Sequence, residues 1–468
     1  MVDIVPDRAS MTLAELNAAV HSQPLDVALH RMLFTRCHEA GDELAALAHL
    51  IAARAIESCQ VQTGLQTGFP TSSQRNTEQQ SQSALDLYMV ATGYFMKGDY
   101  AIAERWYDLV LMLDPNIAAV YQNMVVIHSH FGRPELAEAC RSRAYRMQRV
   151  FIDPIQHPAR QLLILCVGRT MGNIPYEVLL SAEKSQRIKY IIDYADDIED
   201  TLLPAYDLVF NAIGEPDVAA PLAARLSRFL QVCQRPILNH PAQVARTARH
   251  LLPQLMAGLD NVQVAGCVRI ENQNLTLDQL HQILLEAHVQ FPVLLRPLES
   301  HGGRGLEQVS DLASLHAQLQ TVQSGCYVCS FVSLKDLDGY YRKYRIIYVD
   351  RQPFAYHLAI SSQWMVHYYT AEMLEHPWKI AQEQLFLQDP CSVLGERAMT
   401  AIHEIGQRLD LDYAGIDFTV TPDGQVFIFE ANATMLVHRV SAEGPLAHKN
   451  SYVQRIADAF ETLQQRFE

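Results

Sequence analysis

Three oxygen-bearing side chains near the C-terminus lie in alternating apolar runs: Asp417, Glu430 and Asn432. The dipeptide Asp423-Gly424 between the runs predicts a two-residue hairpin turn, which places Asp417 directly opposite Glu430. Because side chains alternate along a strand, the three polar groups share one face. The other face is predicted to carry Ile416, Phe418, Val420, Phe427, Phe429 and Ala431. Opposed carboxylates repel, and Mg²⁺ with hard oxygen ligands relieves that repulsion; an exposed polar face is the alternative.

A glycine-rich segment follows a strand-like apolar run that ends in Arg296. The segment reads His301-Gly302-Gly303-Arg304-Gly305. Such a loop lets backbone N–H groups approach phosphate oxygens, while a nearby cation offsets their charge. It is not a Walker A motif, because no Gly-Lys-Ser/Thr follows. A plain glycine-rich hairpin is the alternative, but together with the downstream carboxylates the segment indicates a phosphate site.

These two motifs, in this order and roughly 120 residues apart, resemble the ATP-grasp superfamily over about residues 160–468. The resemblance implies that ATP is held between two α+β subdomains behind an α/β layer, with Mg²⁺ as a second cofactor. It implies that Mg²⁺ is bound by Asp417, Glu430 and Asn432. The loop from His301 to Gly305 matches the flap over the phosphates, and Arg296 stands where the family usually has an ATP-binding lysine.

Further ATP contacts follow from the same resemblance. An upstream lysine of the family is replaced here by Arg249 or by Arg246. The run from Cys326 to Val332 resembles the strand and hinge that contact adenine, which makes Phe331 and Val332 nucleotide contacts. By position, Arg345 matches an arginine near the triphosphate or acyl group. Many ligases of the superfamily have a second arginine two residues before the aspartate, where this chain has Gly415.

Aromatic and hydrogen-bonding side chains are dense between His357 and Tyr369. Amphipathic rings with polar tips suit a pocket, so this segment is a candidate for the acceptor site or a lid; a packed edge is the alternative. Polar residues after Asn432 could reach a substrate carboxylate. The resulting substrate candidates are Trp364, His367, Tyr368, His438, Arg439 and Ser441.

The first 150 residues contain an internal repeat. Gly98 and Gly132 are separated by 34 residues, as are Ala103 and Ala137. This period is typical of tetratricopeptide helix pairs, which bind peptides or proteins; a dimerisation or packing module is the alternative. An earlier copy begins near Gly41, and the excess spacing matches a Gln- and Ser-rich segment over 61–83, interpreted as a flexible insertion.

Buried parallel strands are predicted in the next segment, at Leu162–Val167, Tyr190–Ile192, Leu208–Ile213 and Pro236–Leu238. The predicted fold class is therefore multidomain α and α+β, with helical repeats before an ATP-grasp fold. The expected domains are a repeat domain over 1–150, a pre-ATP-grasp α/β domain over 160–245, a small subdomain over 246–335 and a C-terminal subdomain over 336–468.

Composition limits the partners of this 468-residue chain. A net charge of −15 argues against general binding to nucleic acid or anionic membranes, so any nucleotide needs a local site. Neither a signal peptide nor a long apolar span is recognisable, which predicts a cytoplasmic protein. The nine cysteines form no disulfide framework. Cys326 and Cys329 have CxxC spacing, for which buried thiols and redox or metal use are both open.

The resemblance implies an ATP-dependent ligase that activates a carboxylate as an acylphosphate and joins it to an amine, forming ADP. A phosphotransferase acting on a hydroxyl is a second hypothesis. A non-catalytic adaptor, in which the repeats bind a protein and the second half senses nucleotide, is a third.

Overall fold

The computed structural model describes residues 11–63, 73–169, 171–271, 274–298, 303, 305–322 and 325–467. Contacts divide the chain into two compact units, Met1–Gln148 and Arg149–Glu468. The first is all-helical, and the second is an α+β unit with three sheets. No helix in the described part of the chain is long and apolar enough to cross a membrane.

The first unit consists of helices that pack against their neighbours in sequence. They are α1 (Leu13–Ser22), α2 (Val27–Glu39), α3 (Glu43–Thr63), α4 (Ser73–Lys97), α5 (Tyr100–Leu113), α6 (Ala118–His130) and α7 (Pro134–Met147). Three tight turns join α2 to α3, α4 to α5 and α6 to α7, and each contains a glycine with positive φ: Gly41, Gly98 and Gly132. Side chains other than glycine rarely adopt that conformation, so the repeated glycines set the helix pairs.

Helices extend into both ends of the segment over 61–83 that is predicted to be an insertion. Residues 61–63 end α3 and residues 73–83 begin α4, whereas residues 64–72 lie outside the described residues. The flexibility of this insertion stays a prediction.

The second unit contains fourteen strands among its described residues. They are β1 (Val150–Ile152), β2 (Arg160–Cys166), β3 (Ser185–Ile191), β4 (Leu208–Asn211), β5 (Ile237–Leu238), β6 (Val262–Val264), β7 (Cys267–Ile270), β8 (Val293–Pro297), β9 (Glu307–Val309), β10 (Cys326–Ser330), β11 (Tyr341–Val349), β12 (Gln352–Ser361), β13 (Tyr413–Val420) and β14 (Val426–Asn432). Its helices are α8 (Pro216–Ala219), α9 (Ala223–Val232), α10 (Pro241–Ala245), α11 (Leu252–Leu255), α12 (Leu277–Glu286), α13 (Leu312–Leu319), α14 (Pro377–Gln388), α15 (Pro390–Leu394), α16 (Glu396–Leu409) and α17 (Lys449–Gln465).

A mostly parallel sheet comes first, in the order β1-β3-β2-β4-β5. All four predicted strands are present in it, and only β1 pairs antiparallel. The central strands β2 and β4 are mostly apolar and buried, as expected where both faces of a sheet are covered, whereas β3 also carries polar residues such as Arg187 and Lys189. On one side, Phe210 of β4 packs edge to face against Phe460 of α17, with ring centroids 5.4 Å apart. The last helix thus closes the core of this sheet.

Two further sheets build the rest of the unit. The small sheet, β7-β10-β8-β9, is antiparallel and packs its apolar face against α12 and α13. The C-terminal sheet has the order β12-β11-β13-β14-β6, with only β6 parallel to its neighbour. Buried residues of α16 recur at helical spacing, as at Ala398, Ile402 and Ile405, which gives that helix its apolar face.

The predicted C-terminal hairpin is present, with one change of register. Asp417 pairs with Glu430 as expected, but Phe418 pairs with Ile428, so Phe429 is left out of the ladder as a bulge. Phe429 is 42% exposed, and its predicted place on the apolar face is wrong. The turn explains the change. Thr421 donates its N–H to the Gln425 carbonyl at 2.9 Å, so the loop between the two strands is longer than the predicted two-residue turn.

Candidate functional site

A cleft of about 290 Å³ lies between the small sheet and the C-terminal sheet. It brings together many of the residues singled out in the sequence: Arg249, Arg296, Gly303, Phe331, Val332, Arg345, Trp364, His367, Asp417 and Glu430. These residues come from both sheets and from the segments that follow β8, β10 and β12, except Arg249, which lies in the turn between α10 and α11. His301, Gly302 and Arg304 lie outside the described residues. The two motifs therefore meet across one cleft.

Asp417 is a buried carboxylate with two cationic partners. Arg345 donates to it from Nε at 2.6 Å and from a terminal nitrogen at 2.9 Å, which makes a bidentate pair. The Lys343 ammonium lies 3.1 Å from the same carboxylate. Burial alone would raise the pKa of Asp417, but Arg345 and Lys343 hold it well below its usual range. Asp417 is therefore a carboxylate anion across the physiological pH range.

Glu430 is the second carboxylate of the cleft and forms an ion pair with Arg249. The Asn432 side-chain amide donates to Glu430 Oε1 at 2.7 Å, while the Asn432 oxygen accepts from the Thr434 N–H at 3.0 Å. Burial opposes ionisation of Glu430, but Arg249 and Arg296 lower its pKa. Asn432 is not among the residues that line the cleft and instead orients Glu430.

Four polar side chains form a row across the C-terminal sheet. Glu430 of β14 pairs with Asp417 of β13, which pairs with Arg345 of β11, which pairs with His357 of β12. On this face the Asp417 and Arg345 neighbours attract each other, whereas the neighbouring carboxylates of Glu430 and Asp417 repel. Sequence reasoning singled out the first three but not His357 or Lys343. Alternation along β11 could have indicated Lys343, because it lies two residues before Arg345 on the same face.

Two half-buried arginines, Arg249 and Arg296, line the cleft close enough to affect each other electrostatically. Burial and the neighbouring Arg249 both lower the pKa of Arg296, and Glu430 and Glu215 oppose that effect. Between the two upstream candidates, Arg249 lines the cleft, whereas Arg246 donates to the Arg408 carbonyl at 3.3 Å. Guanidinium groups placed side by side repel, and an anion between them removes that repulsion. The cleft therefore suits an anionic ligand.

Oxygen donors for a divalent cation are also present. Asp417 and Glu430 are neighbours across the strand ladder, and Asn432 contacts Glu430. Within the described residues, no group of three or more His, Cys, Asp or Glu side chains could hold a metal. Two carboxylates with an amide beside them suit Mg²⁺, which keeps several waters and shares substrate phosphates. They suit a tetrahedral zinc site poorly, because zinc prefers nitrogen and sulfur ligands.

The cleft changes character along β8. Arg296 lies near the end of this strand, whereas the Phe331 N–H donates to the carbonyl of Pro292, just before its start. Four residues of extended chain separate these points by about 13 Å. Phe331 packs edge to face with Trp364, with centroids 5.1 Å apart, and Val332 is exposed beside it. One end is thus cationic and the other is aromatic and apolar, which matches the two ends of a nucleotide.

Two α+β layers, built on the small sheet and on the C-terminal sheet, enclose the cleft, and a mostly parallel sheet precedes them in sequence. Neither a protein-family model nor a curated protein sequence matches the chain.

Three of the solved structures that are similar to this chain are the following. D-alanine–D-alanine ligase from Bacillus anthracis complexed with ATP has 12% identity and a TM-score of 0.39, over 66% of this chain and 98% of that chain. A RimK domain ATP-grasp protein from Sphaerobacter thermophilus has 15% identity and a TM-score of 0.38, over 64% and 99%. VanG D-Ala:D-Ser ligase from Enterococcus faecalis has 12% identity and a TM-score of 0.41, over 65% and 99%. Scores this low support no inference about this chain.

The flap of the ATP-grasp resemblance is described only at Gly303 and Gly305. Both have positive φ, of 78° and 68°. Gly303 lines the cleft, and a Cβ added there would lie 3.0 Å from the Met365 sulfur. This close approach brings the glycine backbone next to the segment that contains Trp364 and His367.

Several predicted substrate residues do not line the cleft. The Tyr368 hydroxyl donates to Glu383 at 2.9 Å, and His438 Nδ1 lies 3.0 Å from the Tyr356 hydroxyl. Arg439 donates to Gln454 of α17, and Ser441 accepts from the Glu443 N–H. These four residues are therefore not among those that line the cleft, and their role in substrate binding stays a prediction. Trp364 and His367 remain as candidates.

Gly415 lies at the position where the resemblance implies an arginine, and it packs closely against its neighbours. A Cβ added there would lie 2.6 Å from Met435 Cγ and 3.0 Å from the Ile346 carbonyl oxygen. We expect Gly415→Ala to lower the free energy of unfolding by about 1–3 kcal/mol. Gly93→Ala is the matched control, because nothing lies within 4 Å of that position in α4 and alanine should stabilise a helix by about 1 kcal/mol. Equal urea midpoints for the two variants would contradict the packing argument.

Sequence reasoning missed Glu215, a buried residue that follows β4. The signal was available, because ligands bind beyond the carboxyl ends of parallel strands. Burial raises the pKa of Glu215 to about 7, with Arg249 opposing and Glu430 adding to the shift. A third carboxyl group whose charge changes near neutral pH thus lies behind the lining of the cleft and interacts electrostatically with Arg249 and Glu430.

This pKa predicts a pH-dependent stability. Between about pH 4.5 and 7 the folded chain retains a proton that the unfolded chain releases, so stability falls as pH rises through that window. The loss is about 3 kcal/mol at most. We expect Glu215→Gln to reduce the difference between the free energies of unfolding in urea at pH 5 and pH 8. Glu286→Gln, at an exposed position of α12, is expected to leave this difference unchanged. A Glu215→Gln profile parallel to that of the wild type would contradict the assignment.

Proposed function

We propose that the second unit is an ATP- and Mg²⁺-dependent carboxylate–amine ligase of the ATP-grasp type. One observation carries this proposal: a protein of net charge −15 places five cations and two paired carboxylates around one cleft. The cations are Arg249, Arg296, Arg342, Lys343 and Arg345. Such a concentration of positive charge is expensive on its own and is stabilised by a polyphosphate.

Each of the residues around the cleft is assigned a role in binding ATP and Mg²⁺. Arg296 and Arg249 bind phosphate oxygens, and the backbone at Gly303 approaches them from the other side. Arg345 is held in position by its bidentate pair with Asp417, so its guanidinium is already oriented where charge develops. Mg²⁺ held by Asp417 and Glu430, with Asn432 beside them, supplies further positive charge to the phosphates. Phe331 and Val332 contact the adenine.

The proposed reaction has two steps. A substrate carboxylate oxygen attacks the γ-phosphorus, the bond from that phosphorus to the bridging oxygen breaks, and ADP leaves. An amine nitrogen then attacks the acyl carbon of the acylphosphate, loses a proton and releases inorganic phosphate. Both steps need a site with little water, because the acylphosphate hydrolyses. Burial of Asp417 and the narrow cleft support that requirement.

An ADP-release screen of the full chain with pairs of carboxylic acids and amines tests this function. A ligase is expected to give ADP, free phosphate and a product of the combined mass less one water. A stable phosphoester without free phosphate would indicate the phosphotransferase instead. ADP at background with every pair, despite nucleotide binding, would indicate the non-catalytic adaptor.

For the first unit we propose a tetratricopeptide-type module that binds a peptide or protein. The 34-residue period and the positive-φ glycines of the three helix pairs support this assignment. Apolar side chains are also exposed along one side of α4, at Leu85, Met89 and Met96. Methionine suits adaptable binding surfaces. If the module instead mediates dimerisation, sedimentation of the full chain will show a concentration-dependent dimer.

A further inference from the structure

Cys329 has a cysteine partner that its sequence neighbours do not indicate. Cys326 and Cys329 are three residues apart on β10, so their side chains point to opposite faces. Cys326 is buried in the core beneath α12 and α13, whereas Cys329 lines the cleft. On the cleft face, Cys329 pairs across the strands with Cys267 of β7. Their Sγ atoms are 2.7 Å apart.

The strand register places these two residues well for a covalent bond. The Ser330 N–H donates to the Gly266 carbonyl at 2.9 Å, so the adjacent pair Cys329–Cys267 is a non-hydrogen-bonded pair of the ladder. Cα atoms in such pairs are about 4.5 Å apart, within the range that a disulfide spans. A Cβ added to Gly266 would lie 2.3 Å from the His288 carbonyl oxygen, so the backbone at the start of β7 is fixed in place.

The surroundings of the pair favour reaction. Arg249 and Arg296 both line the same cleft and act on Cys329. The hydrogen bond with Cys267 lowers the pKa of Cys329, and the two arginines add to this effect against the opposing influence of burial. The thiolate is the nucleophilic form of cysteine, and low-pKa thiols beside a second cysteine are the ones that oxidise reversibly.

We propose that Cys267 and Cys329 are a modification site, a cleft dithiol that hydroperoxides convert reversibly into an intrachain disulfide. The Cys329 thiolate attacks one oxygen of hydrogen peroxide, the O–O bond breaks, and the departing oxygen leaves as water after protonation. The Cys267 sulfur then attacks the Cys329 sulfenic acid, and the S–O bond breaks to release a second water. Two thiols lose two electrons and two protons, and the peroxide is reduced to two waters.

One consequence rests on the function proposed above. Cys329 lies beside Arg249 and Arg296, the groups assigned to the phosphates, so a bound nucleotide covers its sulfur. We therefore expect ATP with Mg²⁺ to slow disulfide formation at least tenfold. Formation of the disulfide itself requires only the two cysteines and the peroxide.

Peptide mapping of the full chain after hydrogen peroxide treatment tests the proposal. The wild type is expected to lose 2 Da, to yield a Cys267–Cys329 cross-linked peptide and to regain both thiols with dithiothreitol. C267S should give no cross-link and instead accumulate a Cys329 sulfenic acid that reacts with dimedone. C391S, which removes an exposed cysteine, is the matched control and should behave as the wild type. Thermal unfolding of each variant checks that it is folded.

The dithiol site is overturned if the wild type forms no Cys267–Cys329 peptide, or if C267S still cross-links Cys329 to another cysteine at the wild-type rate. The nucleotide arm has a separate reading. Equal oxidation rates with and without ATP and Mg²⁺ would contradict nucleotide binding in this cleft, while the cross-linked peptide would still support the dithiol.

Discussion

Glu430→Gln is expected to reduce ATP-dependent ADP release by roughly 10²–10³-fold. The change keeps the size of the side chain and removes the charge that pairs with Arg249 and that is assigned to Mg²⁺. Without that charge, less negative charge offsets the repulsion between Arg249 and Arg296. The cleft also loses one of the two carboxylates assigned to the metal. A coupled assay of ADP release, with the carboxylate and amine found in the screen, measures the effect.

The matched control for Glu430→Gln is Glu286→Gln, which removes an exposed carboxylate on α12. This carboxylate accepts a hydrogen bond from Gln282. We expect it to retain wild-type turnover. Circular dichroism and the urea midpoint establish that both variants are folded. Wild-type turnover in Glu430→Gln would contradict the role assigned to this carboxylate, whatever the outcome for Glu286.

Lys449→Met is expected to give the largest loss of stability, about 3–5 kcal/mol. Glu383 on α14 has 0% exposed surface and accepts from the Lys449 ammonium at 2.8 Å and from the Tyr368 hydroxyl at 2.9 Å. The ammonium also lies 4.1 Å from the centre of the Tyr368 ring. Removing the cation leaves a buried carboxylate without its counter-charge, and this is far more costly than the loss of an exposed pair.

Urea unfolding of Lys449→Met is compared with that of Lys184→Met. The Lys184 side chain is 55% exposed, and its ammonium lies 3.5 Å from the Glu461 carboxylate. We expect the exposed substitution to cost at most about 1 kcal/mol. The double variant Lys449→Met with Glu383→Gln should regain part of the loss, because the uncompensated charge is gone. A Lys449→Met midpoint equal to that of Lys184→Met would show that this buried pair does not stabilise the unit.

Local patterns predicted the elements of this protein well. The glycines at Gly41, Gly98 and Gly132 located the turns of the helix pairs, and apolar runs located the strands of the parallel sheet. The Asp417–Glu430 pairing was also predictable, since alternation and a turn residue are properties of adjacent segments. The bulge at Phe429 was not, because it depends on how the Thr421–Gln425 turn closes.

Contacts between distant segments were beyond local patterns. Cys267 and Cys329 are 62 residues apart, and Glu383 and Lys449 are 66 residues apart. Their pairing depends on strand order and helix docking, which are set by the summed burial of many side chains rather than by any short motif. The CxxC spacing therefore drew attention to Cys326, although the structure pairs Cys329 with Cys267.

The overall acidity and the anion site are compatible because charge is distributed locally. Most carboxylates of the chain are outside the cleft, whereas the guanidiniums of Arg249, Arg296 and Arg345 converge inside it. At physiological salt, charges beyond about 8 Å on the exposed surface are largely screened, but those within a narrow cleft are not. A polyphosphate entering the cleft therefore experiences mainly the nearby cations.

Calorimetric titration of ATP with excess MgCl₂ into the full chain tests the central claim most directly, with Arg296→Met and Arg246→Met as paired variants. Both remove one arginine, but only Arg296 lines the cleft. We predict one saturable site per chain, unchanged affinity in Arg246→Met and binding about 10–100-fold weaker in Arg296→Met, the cost of one charged hydrogen-bonding group. No saturable binding, or equal affinity in the two variants, would contradict an ATP site between these sheets.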